Sequence, residues 1–295
     1  MFFSSKEEVE YLTPFWKGER LPDGRPKVAD EVLARMRKMT LEEVWGNAWK
    51  KKYDFQVETN FKTTHSTDNI LVGRALTIEC VPWREDLDLV AKAESQKFGF
   101  EATPDKNDYN KSAVGRLVKD DVMVIDFFDK VKYGTFFGGN LSTAVANRTQ
   151  GGGAVVWGGI RDLDQIKNIP NLQIYHRGSD PTPIRDYVMT GYNRPTRIGS
   201  AVCMPGDVVF GSAGGVCFIP AHLVEETVDS AEKSHVIDVF GFQRLKEQKY
   251  TPAEIDQSPW KKEIWLDFLD WLKKAPEVKD YLHLNWENDP RGGTT

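Results

Sequence analysis

The alternation of apolar and polar positions predicts an α/β protein whose two ends are helical. Residues 5–8 and 40–43 each resemble the start of a helix, because a Ser or Thr is followed three residues later by a Glu. Between them, residues 28–39 carry apolar side chains at helical spacing. The first 50 residues are therefore predicted to be helical and peripheral to the core.

Short apolar runs between turn formers predict the strands of that core. They are residues 70–82, 120–128, 154–157 and 172–178, followed by several short strands within 197–220. Between the second and third of these runs, the sequence FFGGNLSTAVANRTQ predicts a glycine-rich turn that leads into a helix. Strand, turn, helix and strand make a βαβ unit, which implies parallel strands.

Two polar segments interrupt the predicted core. The segment 84–118 is rich in Lys and Asp, has a helical piece near 89–99 and a long loop over 101–112, and is typical of an insertion. Residues 179–195 are rich in turn formers and are predicted to be a loop.

The carboxyl end is predicted to be helical again. Residues 221–249 favour a helix, and an amphipathic helix rich in Trp follows them. Its apolar positions are Trp260, Ile264, Leu266, Phe268 and Trp271. We expect this tail to pack on the body of the protein or on a neighbouring subunit.

Composition narrows the class of protein without indicating a reaction. Hydrophobic residues make up 40% and charged residues 28% of the chain, which is typical of a soluble globular protein. The formal charge of -5 predicts no general attraction to nucleic acid or to an anionic membrane surface. The amino terminus lacks a signal-peptide pattern, and nowhere do about 18 apolar residues run together. We therefore expect a cytoplasmic protein with no nucleic-acid or membrane partner.

The three cysteines are expected to be structural. Cys80, Cys203 and Cys217 are widely spaced and lie in apolar runs. This setting is typical of small buried hydrophobic residues in a reducing compartment.

Two glycine-rich segments carry the candidate chemistry. In GGGAVVWGGIRD, residues 151–162, a buried strand is followed by a glycine pair and then by Arg161 and Asp162. In FFGGN, residues 136–140, the glycines precede a helix whose first backbone N–H groups can hold an anion. The chain order places both segments at the edge where open α/β sheets bind ligands. An anion cradle, a guanidinium and a carboxylate suit a substrate with a carboxylate and a keto group, together with a hard cation.

Simpler interpretations of both segments stay open. An Arg–Asp pair at a strand end is often a solvated ion pair, and glycines often serve tight turns and close strand packing. Other kinds of site have less support, since neither segment matches a phosphate-binding or dinucleotide motif. The five histidines lack the spacing of zinc ligands, and no G-x-S-x-G elbow is present.

Four segments follow one another along the chain: LVGRALTIECVP, DDVMVID, GGNLSTAVANRTQGGGAVVWGGIRDLDQI and PGDVVFGSAGGVCFIP. In this order and spacing they resemble the RraA-like family, which contains the regulator of ribonuclease E activity and the class II 4-hydroxy-4-methyl-2-oxoglutarate aldolases. The resemblance covers residues 40–240 apart from the insertion 84–118, and it leaves 1–39 and 241–295 as helical extensions. It implies a compact α/β fold with a layered β/β/α, swivelling-domain-like core. It also implies trimers or hexamers with an active site between subunits.

The resemblance further implies roles for individual residues. Asp162 would hold Mg²⁺ or Mn²⁺, and Arg161 would contact a pyruvyl group. The glycine turn would hold the carboxylate of that group, and its residues are Gly138, Gly139, Asn140 and Leu141. Asn140 stands where the aldolases often carry an acidic residue, and a catalytic glutamate from a second subunit would fall near Asp238.

These roles predict a metal-dependent carbon–carbon lyase that acts on a 2-oxo acid through an enolate, of the class II pyruvate aldolase or oxaloacetate decarboxylase type. Two other interpretations stay open. One is a metal-dependent lyase or dehydratase acting on a sugar acid or keto-sugar, because Asn140, Gly214, Gly215 and the insertion differ from the family pattern. The other is a non-catalytic regulatory or scaffold protein.

Overall fold

A computed structural model describes residues 2–100, 109–287 and 289–292. Over these residues the helices are α1 (Lys6–Leu12), α2 (Asp30–Met36), α3 (Leu41–Lys50), α4 (Glu85–Lys97), α5 (Tyr109–Gly115), α6 (Gly139–Thr149), α7 (Leu163–Ile166), α8 (Val224–Lys246), α9 (Pro252–Ile255) and α10 (Lys262–Leu272). The strands are β1 (Val57–Glu58), β2 (Lys62–Thr63), β3 (Leu71–Pro82), β4 (Asp121–Asp126), β5 (Gly153–Ile160), β6 (Gln173–Ser179), β7 (Tyr187–Tyr192), β8 (Thr196–Ile198), β9 (Ala201–Cys203), β10 (Val208–Ser212) and β11 (Gly215–Ile219). The chain divides into two compact units, Met1–Thr227 and Val228–Thr295.

Parallel strands form the centre of the main sheet in the order β3, β4, β5 and β6. On one side, β10 pairs antiparallel with the first half of β3, and β11 and β1 follow it. On the other side, β2 pairs antiparallel with β6. Helix α6 connects the parallel neighbours β4 and β5, so the predicted βαβ unit is confirmed.

The two faces of this sheet are covered by different layers. Met123 of β4 points to the face that carries the helices, where it belongs to the same apolar cluster as Val145 of α6. The next residue, Val124, points to the other face and shares a cluster with Ile198 and Cys203 of the β8–β9 hairpin. The order of layers is hairpin, sheet and helices, which confirms the predicted α/β fold with a β/β/α core and helices at both ends of the chain.

The predicted helix starts at the amino end are confirmed by their caps. Ser5 and Glu8 form a reciprocal capping box at the start of α1, and Thr40 and Glu43 form another at the start of α3. Each box satisfies backbone N–H groups that have no partner within the helix.

The prediction of a loop over residues 179–195 is wrong in its second half. Residues Tyr187–Tyr192 form β7, which pairs antiparallel with the second half of β3 beyond a bulge between Glu79 and Cys80. This short aromatic and β-branched run was predicted as loop because Asp, Pro and Asn residues, which favour turns, flank it on both sides. Most of the predicted loop 101–112 lies outside the described residues. Its last four residues, 109–112, are helical, because they belong to α5.

The cysteines are buried and unbonded, as predicted. Burial raises the pKa of the Cys80 and Cys203 thiols well above the usual value. It raises the pKa of Cys217 to about 12. The thiols are therefore held in the protonated, unreactive form.

Asp207 is a buried carboxyl group in the turn before β10, where it accepts a hydrogen bond from the Met204 N–H at 2.8 Å. Burial raises the pKa of Asp207 to about 7, although backbone N–H groups of Met204 and Ala221 oppose this shift. An Asp in the unfolded chain has a pKa of about 3.9, so the folded state binds this proton more tightly. The stabilisation from this group is therefore complete below about pH 4 and is lost as the pH rises through about 7.

Asp207→Asn should remove that dependence on pH, because the amide does not titrate. Urea unfolding of both proteins across this range measures it: the free energy of unfolding of the wild type, minus that of the variant, should fall as the pH rises. A difference that is constant with pH would contradict the assignment.

The second unit packs its tryptophans internally. The rings of Phe240 on α8 and Phe268 on α10 lie 5.3 Å apart between centroids, and the ring of Trp260 lies 5.5 Å from each of them. Arg244 donates two hydrogen bonds to Asp267, at 2.7 and 2.9 Å. The tail predicted as an amphipathic helix thus packs on the second half of α8 within the unit. Across the described ranges, no helix has both the length and the apolar character needed to cross a bilayer.

Candidate active site

Arg161 and Asp162 follow the last residue of β5, at the carboxyl edge of the parallel strands. The strand continues through Gly159, whose N–H donates a hydrogen bond to the carbonyl of Lys130 at 2.7 Å. A Cβ at position 159 would lie 2.7 Å from the carbonyl oxygen of Val131. The backbone of residues 130–131 passes so close to the strand that only glycine fits there. Asp162 lies at the N-cap position of the short helix α7 without a side-chain cap hydrogen bond, and it adopts the left-handed conformation with φ 60, which Asp tolerates better than most residues.

The segment before α6 lies directly beside the end of β5. The Arg161 N–H donates to the carbonyl of Phe137 at 2.9 Å, and Phe137 forms a parallel bridge with Ile160. This pairing places Gly138 against the two charged side chains. A Cβ at position 138 would lie 2.5 Å from Asp162 Oδ2 and 2.7 Å from Arg161 Nε. A side chain at position 138 would therefore displace Arg161 and Asp162 from this arrangement, which explains the glycine at this position.

The guanidinium, the carboxylate and the start of α6 meet at one atom. Asp162 Oδ2 accepts hydrogen bonds from the Gly139 N–H at 3.0 Å and from Arg161 Nε at 3.2 Å. In this structure, therefore, one of the amides expected to hold a substrate carboxylate is hydrogen-bonded to the protein's own carboxylate. Within the described part of the chain, the N–H groups of Asn140 and Leu141 make no hydrogen bond, and Asp162 Oδ1 accepts none.

A cleft of about 770 Å³ opens beside this junction. Both predicted segments line it, since Gly138, Asn140, Leu141 and Arg161 all face it. Asp162 is not itself part of the cleft lining, but it contacts Arg161, which is. About a third of the Asp162 side chain, 32%, is exposed to solvent. The structure thus brings the two predicted loops together at a shared rim.

The opposite wall of the cleft was missed by the sequence analysis. The insertion contributes four lining residues, Asp88, Lys92, Asn110 and Lys111, and Trp83 lies just before it. The segment before β7 and the first residue of that strand contribute the rest of the wall: Pro183, Ile184, Arg185, Asp186 and Tyr187. One signal was available, because the insertion begins at the carboxyl end of β3, at the same sheet edge as Arg161.

Ion pairs neutralise much of the charge along this wall. Lys92 Nζ lies 2.7 Å from Asp88 Oδ2, and Arg185 Nε lies 2.7 Å from Asp186 Oδ2. Asp88 is itself buried, with 5% of its surface exposed.

The remaining predicted residue, Asp238, lies exposed on α8 in the second unit, and its role stays a prediction. Among the residues that the structure describes, no group of three or more His, Cys, Asp or Glu side chains is arranged to hold a metal ion. A metal at this site would therefore depend on few protein ligands.

Comparison with known proteins identifies the family of this chain. A family model described as RraA-like, Aldolase/RraA, matches residues 28–218, more than half of the chain. The chain belongs to the RraA-like family. Comparison with the curated proteins finds no match.

Solved structures share the RraA-like fold at low sequence identity. Streptomyces coelicolor RraAS2, described as an unusual member of the RNase ES inhibitor RraA protein family, is 21% identical with a TM-score of 0.60, over 75% of this chain and 98% of its own. An uncharacterized protein from Pseudomonas syringae pv. tomato is 16% identical with a TM-score of 0.60, over 78% of this chain and 95% of its own. At this identity the likeness shows the fold, and the description of the family model names both an aldolase and RraA.

Proposed function

We propose that this RraA-like protein is a divalent-metal-dependent carbon–carbon lyase that acts on a 2-oxo acid. The observation that carries the proposal is the meeting of Arg161, Asp162 and the Gly139 N–H at the rim of a cleft. A guanidinium and free amides of a helix N-terminus bind a carboxylate, and they stabilise negative charge that develops next to it.

The residues at this rim fit a hydrated Mg²⁺ or Mn²⁺. Mg²⁺ keeps several waters and binds through one or two carboxylates, so a complete cage of protein ligands is not needed. Asp162 offers Oδ1, which accepts no hydrogen bond from the described residues and belongs to a partly exposed side chain. When bound, the cation would supply positive charge beside the 2-oxygen of the substrate.

Arg161 would supply the charge stabilisation that comes from the protein itself. Cleavage next to the 2-oxo group leaves negative charge on the 2-oxygen, and a fixed guanidinium favours that charged species over the neutral ketone. Only this difference between the two states accelerates the reaction. Asn140, exposed at the start of α6, would hold the substrate through its amide but cannot accept a proton as a carboxylate does.

Assembly of several copies is part of the proposal. The resemblance to the aldolases implies an active site between subunits, so we expect a trimer or hexamer in which Asp238 of a second copy completes the site. We place the protein in the cytoplasm and expect no nucleic-acid or membrane partner.

One alternative has specific support. The matching family model is described as Aldolase/RraA, so a non-catalytic regulator, which would keep the oligomer and bind a protein through its surface, is the second candidate. A lyase or dehydratase for a sugar acid or keto-sugar would use the same rim with a different substrate.

Thermal unfolding with Mg²⁺ and oxalate, an enolate mimic, separates the enzyme from the regulator. A ligand at 100 times its Kd stabilises the folded state by about 2.7 kcal/mol, so the wild type should show a clear rise in Tm. Asp162→Ala should lose that rise relative to its own baseline, because its carboxylate holds the cation.

The matched control is Asp164→Ala. Asp164 is two residues away and 95% exposed, and its carboxylate pairs with Lys167, so its variant should keep the full rise in Tm. A wild type that shows no rise, or an equal rise in Asp162→Ala, would favour the regulator. A screen of 4-hydroxy-2-oxo acids against sugar acids then distinguishes the two kinds of lyase.

A further inference from the structure

The cleft is much larger than a pyruvyl group requires. Its volume of about 770 Å³ lies within the range of about 300–1,000 Å³ that is typical of pockets for larger, drug-sized molecules. A pyruvyl group bound at Arg161 would occupy one end and leave most of the cleft to the rest of the substrate.

The far wall offers apolar surface to that remaining part. Trp83 is 50% exposed although it lines a concave site. Pro183, Ile184 and Leu141 are further apolar residues of the lining. An exposed indole ring in a cleft is a large rigid contact for a flat apolar group.

The charged side chains of the same wall are less suited to bind an anionic tail than the indole ring is to bind an apolar one. Two of its three cations, Lys92 and Arg185, are already held in ion pairs with Asp88 and Asp186, each at 2.7 Å. A second carboxylate bound there would compete with Asp88 and Asp186 for these cations, whereas a group that covers the indole ring displaces no ion pair.

Backbone and side-chain contacts fix the position of this wall relative to the rim. The Trp83 N–H donates to the carbonyl of Asp186 at 3.2 Å, which joins the two segments of the wall. Asn110, buried on α5, donates to the carbonyl of Phe136 at 3.1 Å, two residues before Gly138. The insertion is thus anchored to the loop that forms the candidate anion site, so the wall is preformed.

We propose that this site is selective for a 2-oxo acid that carries a flat apolar group, with Trp83, directly before the insertion, as the residue that binds this group. The inference rests on the proposed function, because it assumes that the 2-oxo acid end lies at Arg161. It assigns the choice of substrate to Trp83 and to the wall that Trp83 belongs to.

Calorimetric binding of two matched 2-oxo acids in the presence of Mg²⁺ tests this assignment. 2-Oxobutanoate and 2-oxo-4-phenylbutanoate share the same acid end and differ by the phenyl group. The wild type should bind the phenyl compound at least about tenfold more tightly, since even one methylene in an apolar pocket contributes about that much. Trp83→Ala should reduce this preference to less than about threefold and leave the Kd of 2-oxobutanoate unchanged.

Trp49→Ala is the matched control. Trp49 lies on α3, is 53% exposed and is absent from the cleft lining, so its variant should keep the full preference for the phenyl compound. The inference is overturned if the wild type binds both compounds equally, if Trp83→Ala weakens both equally, or if both Trp variants lose the preference. Binding of neither compound, together with no binding of oxalate, would overturn the proposed function itself.

Discussion

Arg161→Ala should lower kcat for the decarboxylation of oxaloacetate by about 10²–10³ and change KM little. Decarboxylation leaves the same enolate charge as aldol cleavage, so it reports on the rim without knowledge of the natural substrate. The guanidinium lies 3.2 Å from Asp162 and faces the cleft, where it contacts the 2-oxygen in the proposed complex. One preorganised donor of this kind contributes about 3–4 kcal/mol to the stability of the transition state.

Arg148→Ala is the control for the loss of a cation. Arg148 is exposed in the last turn of α6, at the other end of the same helix, so its removal should leave kcat within about twofold, as is usual for surface substitutions. A variant of Arg161 with normal kcat and raised KM would show that the side chain only binds substrate, and it would contradict the proposed role.

Asp121→Ala should lower the free energy of unfolding by about 3–5 kcal/mol, because it leaves a buried guanidinium without its buried, bidentate partner. Arg25 is 1% exposed and donates to both carboxylate oxygens of Asp121, at 3.0 and 2.9 Å. Asp121 is completely buried at the start of β4 and also accepts from the Val118 N–H at 2.9 Å. The pair joins the amino-terminal segment to the parallel sheet.

Urea unfolding of the wild type, Asp121→Ala and Asp23→Ala measures this contribution. Asp23 also binds Arg25, at 2.7 Å, but its side chain is 30% exposed, so its removal should cost only about 1 kcal/mol. Equal effects of the two variants, or a loss below about 1 kcal/mol for Asp121→Ala, would contradict this account of the buried pair.

Local patterns were sufficient to predict much of the fold. The capping boxes at Ser5 and Thr40 act within one helical turn, and the apolar run before Gly158 needs only the alternation of a buried strand. The meeting of Arg161 with the start of α6 was also predictable, because parallel strands bring their carboxyl ends to one edge.

The missed features depend on contacts between distant parts of the chain. The second half of β3 extends beyond its antiparallel neighbour β10, and β7 pairs with that second half. This pairing depends on the length of β3 in the folded sheet and has no signal in the local sequence. Likewise, nothing near Trp83 in the sequence indicates that its N–H meets the carbonyl of Asp186, or that Asn110 holds the loop before Gly138. The wall that we propose selects the substrate is therefore a result of tertiary structure.

The central claim is that the rim at Arg161 and Asp162 stabilises an enolate, and proton exchange at the methyl group of pyruvate measures this most directly. In deuterated buffer with Mg²⁺, NMR should show the methyl protons of pyruvate exchanging with solvent in the presence of the wild-type protein. Exchange should stop on addition of EDTA and should be lost in Asp162→Ala, while Asp164→Ala retains it. Pyruvate that binds the wild-type protein with Mg²⁺ but keeps its methyl protons would contradict the account.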